Sequence, residues 1–169
     1  MKKLTAIFVV LFAVAFSSNV FAQNTDQATS TASAKVVSAI SIENNRGLLF
    51  GDIAYTLGEA GTITIAAQDE LDINYSVEDM ELSTATRQSA KFTITGEADY
   101  LFSIVLPATV TLNSASDEMT IATSMNLSET GNELTGGSVE LYVGGTLSVD
   151  AAQATEQYNG SFNVTVSYE

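Results

Sequence analysis

The sequence contains no cysteine, no histidine and a single proline, Pro107. Without thiols there is no disulfide, no thiolate nucleophile, no thiolate zinc or iron site and no cysteine for lipid attachment. The fold must therefore be held by core burial and backbone pairing. Without histidine, the usual general base of a Ser-His-acid arrangement and the commonest neutral metal ligand are missing. What remains for catalysis is carboxylate chemistry, as in a glycosidase with two acids facing a sugar cleft. No acid here interrupts an apolar run in a way that signals burial, and with aromatics at 8 % of the chain there is little to build a sugar platform. No catalytic, cofactor-binding or metal residue is assigned, no cofactor is expected, and the chain is expected not to be an enzyme.

Positive charge is also scarce, with six Lys and Arg against 20 acids in 169 residues. Two of the six, Lys2 and Lys3, begin a segment with the layout of a secretory signal: a basic start, an apolar run from Leu4 to Phe16, and a small-residue box Val20-Phe21-Ala22. The apolar run is short for a bilayer span. Residues 1–22 are read as a signal peptide, and a cut after Ala22 leaves 147 residues, enough for one domain with its own core. All 20 acids follow the cut, opposed only by Lys35, Arg46, Arg87 and Lys91, a net charge of −16. That charge repels nucleic acid and anionic membranes, so neither is expected as a partner, nor is stable membrane insertion after signal removal.

Residues 23–33 are small and polar without apolar period, and read as a flexible leader or as an exchangeable segment that orders only in an assembly. From Ala34 to Glu169 short alternating runs follow one another, separated by turn residues. The run AKVVSAISI places Ala34, Val36, Ser38, Ile40 and Ile42 on one face, and ENNRG after it reads as a turn. Further strand candidates put Ile63 and Ile65, Phe92 and Ile94, Phe102 and Ile104, Val110 and Leu112, and Met119 and Ile121 inward. LDINYSVEDMEL alternates apolar residues with acids and amides, as for a sheet with one solvated face. SVELYVGGTLSVDA offers Val139, Leu141 and Val143 before a double glycine and Leu147 and Val149 after it. The chain closes on GSFNVTVSYE, with Phe162, Val164, Val166 and Tyr168 in strict alternation and predicted to face the core. Only AAQATEQ, residues 151–157, could form a helical turn. The pattern predicts an all-β, antiparallel sandwich of immunoglobulin-like type as a single domain over 34–169.

Gly61-Thr62-Ile63-Thr64-Ile65 and Gly145-Thr146-Leu147-Ser148-Val149 echo each other, although turn-and-strand grammar generates such a match without duplication. The four glycines of GGSVELYVGG are not followed by the Lys-Ser/Thr of a phosphate loop. They read as positions that need positive φ or close strand approach. Three acidic turns could gather oxygens for calcium: Asp69, Glu70 and Asp72; Glu78, Asp79 and Glu81; Asp117 and Glu118. None has EF-hand spacing, and a solvated acidic face is the favoured reading.

With these motifs in view, the chain from about Ala34 to Tyr168 resembles the DUF4402 domain family of exported bacterial proteins. The resemblance is carried by Ile40-Ser41-Ile42, Leu49-Phe50-Gly51, Gly61 to Ile65, Phe92-Thr93-Ile94-Thr95-Gly96, Gly136-Gly137, Tyr142 to Leu147, Gln153, and Gly160 to Tyr168. Ala39 stands where the family pattern leads one to expect proline. The resemblance implies a protein outside the cytosol, at the cell surface or in the periplasm, similar in style to fimbrial subunits. The expected partners are other copies of itself or related subunits and a periplasmic chaperone, met through a terminal strand edge. A monomeric module binding glycan, matrix or calcium is the other expectation.

Overall fold

The computed structural model describes residues 25–54, 58–69, 73–75, 81–82 and 87–169. They fall into two units, Met1–Lys35 and Val36–Glu169. Residues 25–35 contain no strand or helix, and every described strand lies in the second unit. In chain order these are β1 (Ser41–Arg46), β2 (Ile53–Ala54), β3 (Gly61–Ile65), β4 (Ile73–Tyr75), β5 (Glu81–Leu82), β6 (Ala90–Thr95), β7 (Leu101–Val105), β8 (Thr109–Asn113), β9 (Glu118–Met125), β10 (Asn132–Glu133), β11 (Ser138–Val149) and β12 (Thr165–Tyr168). All pairings among them are antiparallel. Among the described residues no helix is long and apolar enough to cross a membrane.

The 12-residue β11 is the spine of a seven-stranded sheet. Its first half pairs with β6, Ser138 to Val143 against Thr95 to Ala90, and its second half with β3, Gly145 to Val149 against Ile65 to Gly61. β9 pairs with Val143 to Ser148 and therefore occupies the opposite edge. So β6 and β3 follow one another along a single edge of β11. The echo between Gly61–Ile65 and Gly145–Val149 has a physical basis here, because the two segments are each other's partners. Each glycine faces a β-branched residue across the ladder, and the hydroxyls of Thr64 and Thr146 meet at 2.8 Å.

Of the two needs the glycines could serve, positive φ or close strand approach, Gly144 and Gly145 serve the second. β11 runs through Gly144 and Gly145 without interruption. A Cβ on Gly144 would lie 2.2 Å from the Ile65 carbonyl oxygen, and one on Gly145 would lie 2.6 Å from Ile121 Cγ2. Three strands converge where no side chain fits. Gly136 and Gly137, by contrast, have φ of 68° and 85° in the 3₁₀ turn that leads into β11.

A second sheet, in the order β10-β7-β12, covers one half of the large sheet. Between them Phe92, Ile94, Leu141 and Val143 meet Phe102, Ile104 and Leu134 in one core cluster. The other half of the large sheet contributes Ile63, Ile65, Val110, Met119, Ile121, Leu147 and Val149 to a second cluster. Its cover comes from the short strand β2 through Ile53 and from irregular segments through Leu48, Phe50, Tyr158 and Phe162. The result is the predicted all-β sandwich, with one end closed by strands and the other mainly by loops.

Two boundaries differ from the sequence reading. The first strand is Ser41–Arg46 rather than Ala34–Ile42, so Glu43, Asn44 and Arg46 pair with β6 instead of turning. Polar contacts fix that register: the hydroxyls of Ser41 and Thr95 meet at 2.8 Å, and Thr93 donates to Asn45 Oδ1 at 2.7 Å. Residues 151–157 form turns and bends and no helix.

Candidate functional site

The large sheet ends at β1, whose outer edge pairs with no named strand. Facing it, the closing segment is extended but joins a ladder only from Thr165 onward, against Val105 to Phe102 of β7. Upstream it touches β8 by one bridge, Asn159 to Asn113, and residues 160–164 pair with nothing among the described residues. Gly160 presses so closely on β8 that a Cβ there would lie 2.5 Å from the Thr111 carbonyl oxygen. Phe162, Val164, Val166 and Tyr168 are half-buried against the core, as their alternation predicted. Among the described residues, two unpaired main-chain edges thus run along one side of the sandwich. Ile42, Asn44, Phe92, Phe162, Asn163 and Val164 line a notch of about 230 Å³ between them.

Tyr168 ties the far end of that side. Its hydroxyl accepts the Glu97 N–H at 2.6 Å and donates to the Ser38 carbonyl at 2.8 Å. Its ring meets Tyr100 edge-to-face at 5.6 Å between centroids. The Ser38 N–H donates to the Glu97 carboxylate at 3.1 Å. Gly96 makes room for the phenol, since a Cβ there would lie 2.3 Å from the Tyr168 oxygen. Gly96 and Tyr168, far apart in the sequence, thus form one contact.

A broader recess of about 1100 Å³ lies at the loop-covered end. The sheet residues at its floor, Leu147 and Val149, are only 1 % and 2 % exposed. The exposed side chains of Asp52, Glu156, Gln157 and Asn159 line the recess beside apolar residues such as Leu49, Leu112 and Phe162.

Where they are described, the residues of the acidic turns are tied to the protein itself. Asp117 Oδ2 accepts from Gln153 Nε2 at 2.8 Å and from the Ala154 N–H at 3.2 Å. Gln153, 3 % exposed, also donates to the Glu118 carbonyl and accepts the Asp150 N–H. This knot staples residues 150–158 to the β8–β9 turn. The Ala154 and Glu118 N–H groups hold the Asp117 carboxyl below its usual range. Glu156 is lowered likewise by the Ser114 and Ser116 hydroxyls. Asp69 pairs with Arg46 at 2.9 Å. Glu70, Asp72, Glu78 and Asp79, with the side chain of Glu81, lie outside the described residues. Among the described residues no group of three or more acids gathers as a metal site.

On the outer face of the large sheet, Arg46 and Lys91 lie 5.8 and 5.5 Å from the centre of the Tyr142 ring. Lys91 pairs with Glu140 at 2.6 Å, which raises the lysine and lowers the glutamate. The Tyr142 hydroxyl, bonded to Glu140, is raised. The chain's own cations engage this ring, so it is not a bare stacking platform. Periodicity located the closing strand but gave no sign that half of it is unpaired or that β1 is its neighbour, because both facts depend on long-range pairing.

Comparison with known families matches residues 40–168 to the family model described as a domain of unknown function, DUF4402. No curated protein and no solved structure matches the chain.

Proposed function

The chain belongs to the DUF4402 family, whose description assigns no role, and from the chain's own edges we propose an exported, non-enzymatic structural subunit or adhesive module assembled by strand pairing at the cell surface. The observation that carries this reading is the open side of the sandwich, where the outer edge of β1 faces the unpaired residues 160–164 across the notch. Unpaired strand edges recruit further strands, with main-chain bonds supplying affinity and side-chain pockets supplying specificity. The basic-apolar-small order of residues 1–22 supports export. The absence of histidine and cysteine supports a role in packing instead of turnover. Light scattering and electron microscopy on the purified protein test it: multimers or filaments are expected, and a monomer at all concentrations refutes it.

A second reading, a monomeric module for glycan, matrix or calcium, draws on the broader recess. It predicts a persistent monomer whose thermal stability rises only with its ligand, calcium being the first to try.

A further inference from the structure

Resting on that strand-pairing reading, we propose that the open side is filled by the N-terminal segment Ala28–Val37 of a second copy, laid between β1 and residues 160–164 as an added strand. Copies would then join head to tail.

The receiving side has main-chain groups to satisfy. At its far end β1 is blunted by a bulge at Asn44–Arg46 and by the ties of Arg46 to Ser89. Ser41 to Asn44 remain a flat, unprotected edge. Across the notch, residues 160–164 join no ladder among the described residues. One inserted strand would bond to both.

The N-terminal segment has matching properties. Residues 25–40 form no strand or helix, so their main-chain groups are outside any ladder, and Val36 is 95 % exposed. Read as a strand, Ala28, Ser30, Ala32, Ala34 and Val36 share one face. Small side chains suit a notch whose walls, Phe92, Phe162 and Val164, are already bulky. Ten extended residues reach about 33 Å, against about 20 Å for the six residues of β1. The segment carries Lys35 and no acid in a chain whose acids outnumber its cations by 14. It therefore approaches another copy with less repulsion than most of the surface would.

The segment cannot readily serve its own notch. Ser41 sits opposite Thr95, so the residues before it pass the β6–β7 turn, where Tyr168 and Glu97 hold both main-chain groups of Ser38. Folding back along β1 would break both bonds and need a tight reversal at Ala39-Ile40, where no glycine is present. Segment and notch are different surfaces, so the contact is heterologous and propagates instead of closing a two-fold dimer.

Because the chain has no native thiol, single cysteines report this contact cleanly. Full-chain Val36→Cys is mixed with full-chain Asn44→Cys and mildly oxidised. Ala32→Cys and Ala34→Cys repeat the mixing to cover other registers, and Ser124→Cys on β9 is the control partner. All these positions are exposed, so parental thermal unfolding is expected of each variant. The inference expects at least one tail cysteine to give about tenfold more cross-linked pair with Asn44→Cys than with Ser124→Cys. It also expects excess synthetic peptide of residues 25–39 to disperse the multimers. Multimers that resist the peptide and show no such preference overturn this inference while leaving strand-paired assembly standing. A chain that stays monomeric and unlinked overturns both.

Discussion

Replacing Tyr168 with Phe removes one oxygen and leaves the ring. That oxygen accepts the half-buried Glu97 N–H and donates to Ser38. Each such bond contributes about 0.5–1.5 kcal/mol net, and the exposed Ser38 carbonyl can turn to water instead. The expected loss is about 1–2 kcal/mol, or about 2–8 °C in Tm for a domain of this size. Gly96→Ala attacks the same contact from the other side. Its methyl would sit 2.3 Å from the Tyr168 oxygen and 2.9 Å from Leu134 Cδ1, so the phenol must shift and both bonds go. Overpacking adds about 1–3 kcal/mol to that loss. In the double variant the oxygen that causes the main collision is already absent; the Leu134 methyl must move, and the ring carbon at 3.2 Å need give only by a few tenths of an ångström. The double variant should therefore be less destabilised than the sum of the singles by about 1–2 kcal/mol. Urea unfolding of the four proteins, followed by circular dichroism, measures that coupling. Strict additivity would refute the account of Gly96 and Tyr168 as one contact.

Gly144→Ala places a methyl 2.2 Å from the Ile65 carbonyl oxygen and 2.7 Å from the Ala66 carbonyl carbon, backbone that side-chain rotation cannot relieve. A loss of about 3 kcal/mol or more is expected, and a parental Tm would show that β3 and β11 do not approach so closely. The depressed Asp117 carboxyl stabilises the fold fully above its unfolded pKa, near 3.9, and that contribution fades as pH falls through the lower folded value. Asp117→Asn should lower Tm at neutral pH and flatten the acid limb of the Tm–pH curve. An unchanged acid limb would mean that the carboxylate does not hold residues 150–158.

Which residues turn inward was legible in the sequence, because a period of two is a local property. Ile63, Ile65, Phe92, Ile94, Phe102, Ile104, Ile121, Leu141 and Val143 are buried where alternation placed them. Which strand meets which was not legible, since pairing joins residues far apart. The ladder of β1 shows the limit. Hydroxyls and amides set its register, Ser41 with Thr95 and Asn45 with Thr93. A hydrophobic pattern gives such polar partners no weight, so it chose Ala34–Ile42. The open side escaped notice for the same reason, because an edge is defined by the strand that is not beside it. Gly144 and Gly145 were recognised as geometric, but only the arrival of β3 and β9 distinguishes close approach from a turn.

The position of β11 along the chain has a consequence for the order of folding. Its ladders with β3, β6 and β9 need residues 138–149, which a ribosome delivers near the end. Until then a growing chain can form only the ladders that bypass β11, such as the hairpins β3 with β4 and β8 with β9 and the longer closure of β1 on β6. High contact order of this kind makes folding slow and leaves sticky strands bare meanwhile. Such a polypeptide stays threadable until its last fifth emerges, and needs shelter from aggregation for about as long.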